Sequence, residues 1–142
     1  MSNNREIAFT YRNPNSDWQG GHNYFRSLFM ALNTTPGHNI VPVVFMGSQS
    51  NAVRASLPRN VRIVSNSVFD RKSVKWCVDK VAARLLGRSW LSNRLISGQG
   101  IDILSHAGPT GEAGIRNIAW IPDFQHVHLP QFFSKRDLRK RN

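Results

Sequence analysis

Apolar and polar positions switch between two periods along this chain of 142 residues. Glu6 to Tyr11 reads as a short strand, and Asn13-Pro14-Asn15-Ser16-Asp17 as the turn that closes it. From His22 the period becomes helical: Tyr24, Leu28, Ala31 and Leu32 recur with Phe25 and Phe29 beside them, until Pro36-Gly37 stops the run. Asn39 to Met46 is continuously apolar apart from Pro42, as a strand covered on both faces requires. A short helix over Ser50 to Ser56 and a brief strand over Val61 to Val64 follow. Residues 71–86 carry the strongest helical signal, with Val74, Val78, Val81 and Leu85 on one stripe and Lys80, Arg84 and Arg88 projecting from the far side. A second helical piece covers Ser89 to Ile96. Ile101 to His106 and Asn117 to Ile121 supply the last two strands.

Strands alternating with helices, several of them apolar on both faces, predict an α/β fold: a Rossmann-like, doubly wound parallel sheet with flanking helices. The length allows one such domain, over residues 1–133, and no second. Ser134 then opens a helix in the manner of a capping box, with Asp137 three residues on, and the sequence ends at Asn142. The expectation is a truncated helix at 134–142 and an N-terminal portion of a longer protein.

Nineteen Lys and Arg against eight Asp and Glu give a formal charge of +11, which favours an anionic partner. Ten of those basic residues lie between Arg54 and Arg94, against Asp70 and Asp79 alone. Arg71, Lys72, Lys75, Lys80, Arg84 and Arg88 accompany Trp76 around the long helix, the composition of a helix lying on a membrane or anionic surface. Nucleic acid is the weaker partner, because no helix-turn-helix, RRM, KH or zinc-finger signature is present. A single cysteine, Cys77, excludes a disulfide framework and reads as buried or half-buried packing. The first residues lack an apolar signal segment and no run approaches 18 apolar residues, so the expected location is cytoplasmic, with peripheral attachment at the inner face of the membrane.

In open α/β sheets ligands enter at the carboxyl ends of the strands, and three segments are expected there: Trp18 to His22, Ser105 to Thr110 and Pro122 to His128. Gly20-Gly21 before a helix offers either close backbone approach to an anion or a plain turn with positive φ. It is neither GxGxxG nor a Walker loop. His106 closes a strand, as a structural histidine or a ligand contact, with Glu112 in the loop beyond it. Asp123, His126 and His128 have the residue types of a metal site, but no further ligand completes the shell, so no metal is assigned. Proton handling by Asp123 and His126, held between Pro122 and Pro130, is the better-placed chemistry.

Taken in order, Asp17-Trp18-Gln19-Gly20-Gly21-His22-Asn23-Tyr24-Phe25, Asp102-Ile103-Leu104-Ser105-His106 and Trp120-Ile121-Pro122-Asp123-Phe124-Gln125-His126 with Leu129-Pro130 resemble the N-terminal half of GT-B glycosyltransferases of the family-four type. The resemblance implies an enzyme of two Rossmann-like halves, the N-terminal one binding the sugar acceptor and the C-terminal one a nucleotide-sugar donor. It implies donor-phosphate or acceptor contacts at Gly20, Gly21 and His22, with His106 beside them, and contact with the transferred sugar by His126 or Asp123. It also implies retention of anomeric configuration, no catalytic metal and no cofactor beyond the nucleotide-sugar itself. The Glu-x7-Glu type motif of the donor half does not occur in these residues, so the expectation is little or no transfer by this polypeptide alone. The alternative is a basic nucleic-acid- or anion-binding α/β module without catalytic activity.

Overall fold

The computed structural model describes residues 4–11, 19–48, 51–106, 114–119, 125–132, 134–135 and 138. Five strands, β1 (Arg5–Thr10), β2 (Ile40–Met46), β3 (Arg62–Ser65), β4 (Ile103–Ser105) and β5 (Arg116–Ile118), form one parallel sheet in the order β3-β2-β1-β4-β5. Five helices accompany them: α1 (Gln19–Thr34), α2 (Asn51–Ser56), α3 (Val74–Leu86), α4 (Trp90–Ser97) and the single turn α5 (Gln125–His128). The predicted Rossmann-like α/β architecture is therefore the observed one.

Why the sheet is doubly wound follows from the direction in which the chain adds strands. It moves from β1 to β2 to β3, then returns past β1 to lay down β4 and β5. Right-handed crossovers place the helices of the two runs on opposite faces. Alternation along the strands sorts the core accordingly. Phe9, Tyr11, Val44 and Met46 pack with Phe25 and Phe29 of α1 and Val53 of α2 on one face. Ala8, Val43, Phe45 and Leu104 pack with Ile96 of α4 on the other, with Phe69 of a 3-10 turn (Ser67–Phe69) against them. Strand β2 is buried on both faces from Val43 to Met46, and each such side chain contributes about 1.5–3 kcal/mol of transfer free energy.

Helix α1 departs from expectation in its face. Tyr24 and Ala31 are exposed, and the side chains that reach the sheet are Phe25 and Phe29, flanked by Leu28 and Leu32. Its phenyl rings meet Phe9 edge-on at 6.2 and 5.1 Å between centroids.

Helix α3 departs more sharply. Val74, Val78, Val81 and Leu85 form the predicted stripe, but the stripe faces solvent, as does Leu86. At about 100° per residue, Trp76 and Ala83 lie opposite it with Asp79 beside them on the inner side, and the one buried side chain of the helix is Asp79. The Asp79 carboxylate accepts hydrogen bonds from the backbone N–H groups of Leu91 and Ser92 at 2.8 and 3.2 Å and from the Ser92 hydroxyl at 2.9 Å. It caps α4 from outside, where the helix's own N-cap Ser89 makes no side-chain bond. Arg84 is not opposite the stripe but flanks it, with Lys75 on the other flank, while Lys80 lies farther round behind Arg84. Cys77, expected in packing, is exposed on the same outer surface. Near the carboxyl end Leu138 N–H donates to the Ser134 carbonyl at 3.0 Å, and most of the stretch expected to open a helix, Asp137 included, lies outside the described residues.

Candidate functional site

The order of the strands locates a crevice before any side chain is considered. Strands added after β1 run to one side and those added after the return run to the other, so the connections leaving the carboxyl ends of β1 and β4 diverge. That point of reversal is where doubly wound sheets bind their ligands. β1 pairs with β4 through Ala8 with Leu104 and Phe9 with Ser105, which brings His106 level with Thr10 at the carboxyl edge, one residue before Tyr11.

Two tyrosine–histidine pairs join this edge to the start of α1. The Tyr11 hydroxyl is hydrogen-bonded to His22 Nδ1, and the Tyr24 hydroxyl lies 2.9 Å from His106 Nε2 across 82 residues of sequence. The Ser105 hydroxyl meets the other ring nitrogen of His106, Nδ1, at 2.7 Å. Rings enclose the His106 imidazole on three sides: Phe25 at 5.4 Å, Tyr24 at 5.5 Å and Phe9 at 5.6 Å between centroids. This partial burial holds its pKa below the ordinary histidine value, so the ring is neutral at pH 7, with one nitrogen donating and one accepting. Burial likewise pushes the Tyr11 phenol up to about 12.

His106 also occupies the left-handed backbone region, φ 59°, a conformation that costs a non-glycine residue about 1–3 kcal/mol. Its backbone N–H donates to the Ile118 carbonyl at 3.0 Å, which fixes the turn against β5. A histidine held in that conformation between two hydroxyls presents a fixed, neutral, hydrogen-bonding ring at the carboxyl edge of the sheet.

Gly20 and Gly21 fall inside the first turn of α1. Gly20 is helical and therefore is not the positive-φ turn residue that one reading required. A Cβ built on Gly20 meets nothing within 4 Å, so the space beside it is open. The first turn of a helix carries N–H groups with no partner inside the helix, and at Gly20 a ligand can approach them without side-chain obstruction.

The structure thus brings Gly20, Gly21, His22 and His106 together at one edge. Asp123 and Glu112 lie outside the described residues, as does the side chain of His126; the backbone of His126 belongs to α5 and His128 is exposed. Sequence reasoning missed Tyr11 and Tyr24 as partners of the two histidines. A weak signal was present: a tyrosine in the first turns of a helix, two residues after a histidine, at the edge where a strand also ends in histidine.

A second contact group lies farther along the same edge. Asp70 accepts from the backbone N–H of Ser48 at 3.1 Å and from its hydroxyl, and its carboxylate occupies the space a side chain at Gly47 would fill. At the opposite, amino edge, Asn4, Glu6, Asn39 and Asp102 line a concavity of about 600 Å³. Its acids are already paired, Glu6 with Arg62 at 2.6 Å and Asp102 with Arg116, whose hydrogen bond and charge lower the Asp102 pKa. It lies away from the strand reversal, and its two acids are each held by an arginine.

Among the described residues, no group of three or more His, Cys, Asp or Glu is arranged to hold a metal ion, and no helix is long and apolar enough to cross a membrane. Compared with known protein families, curated proteins and solved structures, the chain matches none of them.

Proposed function

We propose that the chain is the acceptor-side part of a nucleotide-sugar-dependent glycosyltransferase, transferring a hexose to a glycan or lipid-linked acceptor. The observation that carries this reading is the position of Gly20, Gly21, His22 and His106 at the β1/β4 reversal of a Rossmann-like sheet. In this reading the neutral His106 ring and the Tyr24 hydroxyl orient a sugar hydroxyl, exchanging their mutual hydrogen bond for bonds to the ligand. The first turn of α1 receives phosphate or sugar oxygen at Gly20 and Gly21. Asp123 and His126 retain the proton-handling role assigned from the sequence, contacting the transferred hexose. The diphosphate of the donor calls for further cationic groups from a second Rossmann-like unit, and transfer is expected to be negligible without one.

The second reading, a non-catalytic anion-binding module, draws on a different observation: both ring nitrogens of His106 are already hydrogen-bonded, as a structural histidine's would be. Calorimetric titration separates the two. A panel of hexose-containing oligosaccharides and nucleotide-hexoses is compared with random-sequence RNA, each with the natural chain and with Gly20→Val. A Cβ at Gly20 meets nothing within 4 Å among the described residues, and an unchanged far-UV circular dichroism spectrum of the variant confirms that the added side chain acts on the ligand and not on the fold. The transferase reading requires saccharide binding that Gly20→Val abolishes. Salt-sensitive RNA binding that the substitution leaves intact, with no saccharide bound, establishes the other reading.

A further inference from the structure

Helix α3 carries apolar side chains that the fold does not use. Val74, Val78, Val81, Leu85 and Leu86 are 80, 49, 57, 76 and 64% exposed, and none belongs to either core cluster. They are contiguous: Cys77, Val78, Val81, Ala82, Leu85 and Leu86 line a shallow groove of about 420 Å³ along the helix. Scattered exposed aliphatics need no explanation, but a continuous stripe on an otherwise charged helix marks a surface that is covered in use.

The charges around the stripe identify what covers it. Arg71, Lys72, Lys75, Lys80, Arg84 and Arg88 are all exposed. Lys75 lies on one flank of the stripe and Arg84 on the other, with Lys80 behind Arg84 and the rest at the two ends of the helix. The single acid of the helix, Asp79, is buried on the opposite side and bonded to α4. The other acids among the described residues are also engaged: Glu6 with Arg62, Asp70 with Ser48, and Asp102 with Arg116. The outer surface of α3 is therefore apolar along its middle and cationic along both margins.

We propose that α3 docks this protein on an anionic lipid bilayer, its apolar stripe entering the boundary between headgroups and acyl chains and its cations meeting the lipid phosphates and carboxylates. An interfacial helix has this cross-section: an aliphatic face with basic residues at its margins. A second copy is a poorer occupant, because packing two such stripes together brings the cationic margins of both chains into register with no acid between them. The proposal rests on the geometry of α3 and does not depend on the transferase reading.

The lone cysteine makes the test direct. Cys77 is exposed beside the stripe, so an environment-sensitive fluorophore attached to it reports whether that surface leaves water. The labelled full chain is mixed with vesicles of phosphatidylcholine alone and of phosphatidylcholine with phosphatidylserine, and the same mixtures are sedimented unlabelled. Expected are co-sedimentation and a blue shift only with the anionic vesicles. Lys75→Glu and Arg84→Glu each weaken binding at least about fivefold, the equivalent of about 1 kcal/mol per cation. Val81→Glu with Leu85→Glu abolishes it while far-UV circular dichroism stays unchanged, since neither side chain belongs to the core. Three results overturn the proposal: no partition into anionic vesicles; binding that survives the double substitution; or a blue shift that appears without lipid as protein concentration rises, which assigns the stripe to a second copy.

Discussion

Helices α1 and α3 carry similar amphipathic patterns and use them in opposite ways. In α1 the aromatic face is pressed onto the sheet, with Phe29 fully buried, whereas in α3 the aliphatic stripe is turned to solvent and a carboxylate is turned inward. The connections explain the difference. α1 joins two adjacent strands, β1 and β2, and packs directly on the sheet, with only the short α2 beside it on that face. α3 and α4 share the longer return from β3 to β4, and α4, through Ile96 and Leu95, takes the place against the sheet. α3 packs on α4 and on the 3-10 turn and is left with one face outside. A hydrophobic period therefore shows that a helix has an apolar face, but what that face meets is decided by how many helices compete for the same stretch of sheet.

Truncating the buried side of the comparison gives the largest effect expected. Phe29→Ala should lower unfolding free energy by about 3–5 kcal/mol in urea titration, while Leu85→Ala in α3 should stay within about 0.5 kcal/mol of the natural chain. A comparable loss from both substitutions would show that the α3 stripe is packed after all.

Next in size is the polar contact that holds α3 in place. Asp79→Ala leaves two N–H groups at the start of α4 without their charged acceptor and should cost about 1–3 kcal/mol. The loss should appear as faster amide exchange at Leu91 and Ser92, with the α1 side of the sheet unchanged.

Smaller effects come from titrations at the carboxyl edge. Below its ordinary value of about 6.5 the unfolded chain protonates His106 where the folded chain does not. That contribution is complete above pH ~6.5 and is lost as pH falls through the lower folded-state value. His106→Gln should flatten the acid limb of stability relative to the natural chain; parallel limbs would mean the ring is solvated. The Tyr11 phenol has the opposite window. Its pKa of about 12 makes its contribution complete below the ordinary value of 10.0 and lost as pH rises toward 12. Ultraviolet difference titration should show a late phenolate component that Tyr11→Phe removes.

Much of the fold was legible in the sequence, because strand burial and strand alternation are local consequences of the same side chains. Asn39 to Met46 reads as a two-faced strand, and β2 is one. The glycine pair and His106 were legible at the carboxyl edge because strand–helix alternation implies a parallel sheet, whose strands all end on one side. The inward face of α3 was not legible, since Asp79 is a solvated charge by every local rule and becomes a buried cap only when α4 arrives twelve residues later. Nor were the tyrosine–histidine pairs: Tyr24 and His106 meet only because β1 and β4, far apart in sequence, are neighbours in the sheet. Cys77, read as packing, is exposed because the outward face of α3 carries it.

The central claim, that the β1/β4 reversal is where this protein meets its ligand, is tested most directly by amide-resolved NMR titration with the saccharides and nucleotide-hexoses of the calorimetric panel. The account predicts saturable shifts concentrated at Gly20, Gly21, Tyr24, Ser105 and His106, with little change elsewhere. Shifts concentrated instead at Arg5, Asn39 and Asp102, around the hollow at the amino edge, would contradict it.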